Sequence, residues 1–242
     1  MRTIPLKIGL TGTHSAGKTT LAHLVQEAME MRQGKRRILP QIEVHTNLIR
    51  TLADEMKLTK CDDLMEDREW MRYFQQAALV RYLDQSKRIQ FSIDPLASHI
   101  FDRTLIDIRA YLIGYERMFE GRSLDLAEEP LDQNELRMLL YAARFCTWYY
   151  DVIAYVCPIV TDQEEMEQEY TDEFRPTDFQ LRAFIGGVCM GMVEEIKKFT
   201  ESSRLARPVV GNIETTDQAD RRLLLISMIE DAYLMEQLEQ EI

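Results

Sequence analysis

The chain has little that could staple it, anchor it in a bilayer or bind it to a polyanion. It has only four cysteines, Cys61, Cys146, Cys157 and Cys189, and none fall at C-x-x-C spacing. This argues against a cysteine-based zinc site or a disulfide framework and suits the reduced thiols of a cytosol. No apolar stretch approaches the ~20 residues that a membrane-spanning helix needs, and the start carries one Arg2 before a strand-like run, with no signal-peptide core. The expectation is a cytoplasmic protein with no membrane partner. Basic residues are also short, 29 Lys and Arg against 41 Asp and Glu for a net charge of −12. An overall duplex-binding surface is therefore disfavoured, because phosphate neutralisation supplies most non-specific affinity for nucleic acid, although a local basic groove stays open. With no repeat, linker or low-complexity tract, and 45% hydrophobic residues, residues 1–242 read as a single α/β domain.

What is present is a phosphate-binding pattern. Gly12-Thr13-His14-Ser15-Ala16-Gly17-Lys18-Thr19 matches G-x-x-x-x-G-K-[ST] directly behind an apolar run. Glycines at both ends permit a tight turn whose N–H groups approach anionic oxygens, and the following helix, with Thr20 in its first turn, presents its positive end. Lys18 supplies a point charge for β/γ-phosphates, and the Thr19 hydroxyl suits Mg2+. The four fixed positions would coincide by chance in roughly one chain in a hundred of this length. Residues 4–11 read as a buried strand and 20–29 as a helix, which is the context the mechanism requires.

Strand-like runs recur at 41–45, 98–103, 152–157 and 208–212, separated by helical periodicity at 47–56, 64–90, 104–113, 131–150, 177–201 and 216–242. In the long helix, Trp70, Phe74, Ala77, Ala78, Val80 and Leu83 form the expected buried stripe. Residues 114–130, polar and opened by Gly114, read as an excursion from the fold. Such alternation predicts a parallel sheet sandwiched by helices with right-handed crossovers, whose ligand lies beyond the carboxyl ends of the strands.

Asp102 ends the third of these strands and Arg103 follows. A carboxylate there needs a partner. Either Asp102 and Arg103 serve a structural ion-pair network that includes Asp107, or Asp102 acts on Mg2+-bound water or on the acceptor hydroxyl while Arg103 clamps phosphate.

The loop at 12–19, Asp102-Arg103-Thr104 with Asp107 and Tyr111, and the late Asp172-Glu173-Phe174-Arg175 resemble the P-loop nucleoside and nucleotide kinases. The likeness is greatest to the AAA-type kinases that include the ribosylnicotinamide kinase domain of the NAD regulator, with thymidylate kinase as a wider relative. The resemblance implies a P-loop NTPase fold with sheet order 2-3-1-4-5, Mg-ATP as donor, and a lid over about 161–182 in which Arg175 and then Arg182 neutralise developing charge. It implies adenine contacts at 212–216, beginning with Asn212, and an acceptor pocket of His45, Asn47, Arg50, Tyr73, Phe74, Gln76 and Arg103. Relatives also suggest a homodimer through the long helices.

One departure from these relatives bears on the acceptor. Kinases of a nucleoside hydroxyl commonly carry a carboxylate three residues before an arginine after the second strand; here Asn47 precedes Arg50. Either Asp102 is the base, or the acceptor is an already ionised nucleotide, such as a deoxynucleoside monophosphate held by Arg50, Arg72 and Arg103. A kinase acting on a polynucleotide end or a modified DNA base, and a regulatory P-loop NTPase switch, are the alternatives. The N-K-x-D guanine signature is absent.

Overall fold

The computed structural model describes residues 5–13, 16–31, 41–46, 48–58, 62–91, 97–159, 178–203 and 208–240. Five strands, β1 (Lys7–Thr11), β2 (Gln41–His45), β3 (Ala97–Phe101), β4 (Val152–Val156) and β5 (Val209–Ile213), form one sheet in the order β2-β3-β1-β4-β5. Every pairing is parallel. β1 therefore lies at the centre, and β4 beside it is buried at every position, as its unbroken Val-Ile-Ala-Tyr-Val run requires of a strand covered on both faces. β2, at the edge, keeps Glu43 exposed between inward-turned neighbours.

The helices are α1 (Lys18–Met31), α2 (Leu48–Glu55), α3 (Arg68–Gln90), α4 (Leu105–Glu120), α5 (Gln133–Tyr149), α6 (Phe179–Ser203) and α7 (Gln218–Gln240), with a 3-10 turn at Asp62–Met65. They cover both faces of the sheet. Leu21, Ala22 and Val25 of α1 pack with Leu225, Ile226 and Ile229 of α7 on one side. On the other, α2 to α6 build a larger core around Phe74, Ile106, Leu139 and Phe184.

Three local expectations change. The buried stripe of α3 is Met71, Phe74, Gln75, Ala78, Tyr82 and Ser86, whereas Val80 and Leu83 are 66% and 38% exposed. A helix that buries 71, 74 and 78 carries position 80 round to its far side. Gly114 does not open an excursion, because α4 runs on to Glu120. A Cβ there would lie 2.5 Å from Leu181 Cδ1, so this glycine lets α4 and α6 pack closely. The polar stretch beyond it folds around Arg117, which is fully buried. Arg117 donates to the carbonyls of Ser123, Glu129 and Pro130 and, at 2.8 and 2.7 Å, to the two oxygens of Glu135.

The final strand ends at Ile213 and the loop follows it, so Asn212 is a strand residue.

Candidate active site at the carboxyl ends of the strands

The chain leaves β1 through Gly12 at φ +139° and enters α1 through Gly17 at φ +73°, conformations that side-chain-bearing residues rarely adopt. At Gly12 space is lacking as well, since a Cβ would stand 2.5 Å from the carbonyl oxygen of Val156. Lys18, the first residue of α1, is buried rather than open to the mouth. Its amine donates to the carbonyls of Gly12 and Thr13, both at 2.6 Å, and lies 4.0 Å from Asp107 Oδ1. Burial pulls its pKa below the ordinary lysine value, with Asp107 the main opposing charge. Ala16 is buried beneath the loop, and Thr19 and Thr20 are exposed on the first turn of α1.

Asp102 lies just past the end of β3, next to β1, and its position there brings two distant parts of the chain together. Thr19 Oγ1 donates to Asp102 Oδ2, across 83 residues of sequence. The backbone N–H of Asp102 donates to His45 O at 3.2 Å, holding the ends of β2 and β3 together. Arg103 turns back so that its guanidinium stands 5.1 Å over the Tyr111 ring. Burial lowers its pKa, but Tyr111, Asp102 and Asp107 outweigh that and leave it above the ordinary arginine value.

Asp107 is no surface partner for Arg103. It is fully buried and closes a capping box on α4 by accepting from Thr104 N at 2.8 Å and Thr104 Oγ1 at 2.9 Å. Its other oxygen accepts the Gly12 N–H at 3.0 Å. One carboxylate thus fastens the phosphate-binding loop to the start of α4.

Two arginines grip the same loop from other elements. Arg182, buried in the first turn of α6, donates to Thr13 Oγ1 at 3.3 Å. Arg221 of α7 is 1% exposed and donates to Ala16 O and Cys157 O, each at 2.7 Å, and to Thr215 O at 2.5 Å. The sequence reading missed Arg221, because Asp220-Arg221-Arg222 looks like any solvated helix start. T-x-x-D at 104–107 was a signal that could have identified Asp107 as a cap.

Other residues expected at the site are placed elsewhere or undescribed. His14, Ser15, Asn47 and Arg175, with most of the lid segment, lie outside the described residues. Asn212 sends its amide to Glu194 of α6 at 3.1 Å. Phe74 is a core residue, and Tyr73 and Gln76 are exposed on the outer side of α3, so the three do not form one surface. A single α-helical face cannot hold 73, 74 and 76 together. Arg50 is exposed on α2. Arg72 is committed to Glu116, at 2.5 and 2.9 Å, in an ion-pair cluster that includes Arg68. The His45 ring is taken up by Gln85 of α3 at 2.8 Å and by His99 at 2.9 Å, and stacks on Phe101. Burial, with His99 beside it, pushes its pKa down to about 4.

The arrangement suits a triphosphate and its Mg2+. Gly12 turns the chain tightly against the end of β4, and a lysine lies behind the loop. Thr19 and Asp102 give a hydroxyl and a carboxylate side by side, the hard oxygen set that Mg2+ takes from proteins before filling its shell with water and phosphate.

No protein-family model matches the sequence, and no curated protein does. Among solved structures, the chain is similar to a thymidylate kinase from Candida albicans at 14% identity, covering 96% of this chain and 95% of that one, with a TM-score of 0.55. It is also similar to a deoxyadenosine kinase from M. mycoides with bound dATP, at 12% identity over 93% of this chain and 99% of that one, with a TM-score of 0.51. The fold is the P-loop NTPase α/β fold that these structures share, a five-stranded parallel sheet in the order 2-3-1-4-5.

Proposed function

We propose that this chain is an ATP-dependent phosphotransferase that moves the γ-phosphoryl group of Mg-ATP to a nucleotide, such as a deoxynucleoside monophosphate, or to a nucleoside. The observation that carries the reading is the meeting of Thr19 with Asp102 at the mouth of the phosphate-binding loop. A bare phosphate-binding loop serves kinases, switches and motors alike. A strand-end carboxylate beside the Mg2+-binding hydroxyl and a neighbouring arginine supply what phosphoryl transfer needs most, positioning and neutralised charge.

In this reading the loop amides and Lys18 hold the β- and γ-phosphates, and Thr19 and Asp102 hold Mg2+, which neutralises phosphate charge when bound. Arg103, released from Tyr111, reaches the transferring group or the acceptor. Arg182 orders Thr13 at the front of the loop, and Arg175 completes the charge from the lid. Arg50, exposed on α2 just past the end of β2, offers a cation to an acceptor phosphate. Asp102 is a strand-end carboxylate beside Thr19 that could accept a hydroxyl proton, and an ionised monophosphate acceptor would not need it to.

The test is a transfer assay with γ-labelled ATP, Mg2+ and panels of nucleosides, monophosphates and DNA. Label on a monophosphate or nucleoside is expected. Label on DNA alone would move the acceptor to a polynucleotide, and release of inorganic phosphate alone would make the chain an NTPase switch. Asp102→Asn should lose most of the transfer while keeping its melting temperature. If only the melting temperature falls, Asp102 is a structural ion.

A further inference from the structure

The registry of β2 and β3 builds a second cluster of side chains at the edge of the sheet, reaching the end of β2. Glu43 lies directly across from His99 and His45 across from Phe101, so Glu43, His45 and His99 all project from one face of the sheet edge. One ligand atom from each lies within 4.8 Å of the others. His45 Nε2 and His99 Nδ1 are 2.9 Å apart, and His99 Nδ1 and Glu43 Oε2 are 3.5 Å apart. A tetrahedral ion with bonds near 2.0–2.1 Å holds its ligands about 3.3 Å apart, so both of these pairs lie within about half an ångström of that spacing, and rotation of the exposed Glu43 carboxylate would bring its oxygen the rest of the way toward His45 Nε2.

We propose that Glu43, His45 and His99 form a site for a zinc-type transition metal ion, distinct from the Mg2+ position at Thr19 and Asp102. Two imidazoles and one carboxylate, with a position left for water, is a donor set that zinc uses and Mg2+ does not favour. The surrounding residues suit it. Gln85 of α3 contacts His45 Nδ1 at 2.8 Å, and with its amide turned it accepts that N–H, directing the Nε2 lone pair toward Glu43 and His99. Glu43 is exposed, which gives the ion a path from solvent. Phe101 stacks on the His45 ring at 4.8 Å and restricts its rotation. The ligands come from strands rather than loops, so their spacing is set by the sheet.

The test uses the full chain, stripped with chelator and titrated with Zn2+ against a chromophoric competitor, and with Co2+ read by visible absorption. One equivalent is expected to bind, with tetrahedral cobalt bands. Glu43→Gln, on the exposed edge, and His99→Gln should each weaken zinc at least tenfold, and Gln85→Leu about tenfold, with circular dichroism of the metal-free proteins unchanged. Asp102→Asn and Lys18→Ala, which disable the phosphate site, should leave zinc affinity at the wild-type value. This result stands whether or not the chain proves to be a kinase. Glu43→Gln and His99→Gln proteins that fold and bind zinc as wild type does would overturn the site, as would loss of zinc in Asp102→Asn. If His99→Gln fails to fold, Glu43→Gln decides alone.

Discussion

Asp107→Asn isolates how the phosphate-binding loop is held. The carboxylate accepts three hydrogen bonds, two on Oδ2 from Thr104 and one on Oδ1 from Gly12 N, all within 3.0 Å. Asparagine offers one oxygen and one NH2. If the oxygen keeps Thr104, the NH2 faces the Gly12 N–H and leaves a buried donor without an acceptor, at about 1–3 kcal/mol. The two surviving bonds also lose their charge assistance, about 1 kcal/mol each. Against this, a fully buried carboxylate no longer has to be desolvated, which returns part of the loss. The net expectation is about 2–3 kcal/mol of destabilisation, or roughly 4–12 °C in melting temperature for a chain of this size. A second effect separates loop fastening from simple stability. Asp107 is the main charge opposing the downward pull of burial on Lys18, so the variant's lysine has a lower pKa and a loosened loop above it, and ATP affinity should fall about tenfold, near 1.4 kcal/mol. Differential scanning fluorimetry and titration with a fluorescent ATP analogue measure the two. A variant that melts and binds as wild type does would refute the idea that α4 fastens the loop.

Lys18→Ala should abolish ATP binding and transfer and also lower the melting temperature, since the removed amine is buried and leaves two buried loop carbonyls without their donor and Asp107 without this cation; turnover at the wild-type rate would reject the site. Arg117→Met should cost about 2–4 kcal/mol in urea unfolding, because the carbonyls of Ser123, Glu129 and Pro130 lose their shared donor and Glu135 keeps only Arg122 and the Asp132 N–H as partners. A single variant that unfolds like wild type would refute this. Metal-free protein should lose stability as pH falls from about 6.5 toward 4. His45, depressed to about 4 in the fold, refuses a proton that the unfolded chain accepts below its ordinary value. His45→Gln should flatten that slope in urea midpoints measured across the range, and an unchanged slope would rule His45 out as its source.

What could be read from the sequence was what depends on local pattern. The glycines at 12 and 17, the lysine behind them and the strand before them are contiguous, and Asp102 follows an apolar run whose direction the alternation of elements supplies. The strand order followed from the resemblance and is the order observed. Cross-strand register and helix rotation were not legible. His45 was assigned to an acceptor pocket because nothing in the sequence tells that His99 stands one strand away with its ring nitrogen 2.9 Å off. The resemblance puts Tyr73, Phe74 and Gln76 in one acceptor pocket, although Phe74 faces the core and the other two solvent. Gly114 looked like a break because glycine does break isolated helices; here a tertiary contact with Leu181 uses its lack of a side chain. Arg117 and Arg221 sit among polar residues, where an arginine reads as surface, and only the assembled fold reveals the carbonyls each one collects.

Under the proposed function, the buried charges also reconcile an acidic chain with an anionic ligand. The net charge of −12 would repel a triphosphate at long range, yet among the described residues Lys18, Arg182 and Arg221 bond the loop or its ends and Arg103 adjoins Lys18, against the carboxylates Asp102 and Asp107. Two of these cations do not point at a ligand. Arg182 holds a loop hydroxyl and Arg221 holds loop and strand-end carbonyls, so they fix the backbone while adding to the field it carries. The acidic partners behave likewise, with Asp107 holding the Gly12 amide and Asp102 the Thr19 hydroxyl. Glycine at Gly12 and Gly17 leaves the ends of the loop little rigidity of their own, and α4, α6 and α7 hold Gly12, Thr13 and Ala16 in place. Preorganised dipoles of this kind need little rearrangement when charge develops at a reacting phosphoryl group, which is the condition under which electrostatic stabilisation lowers a barrier rather than merely tightening binding.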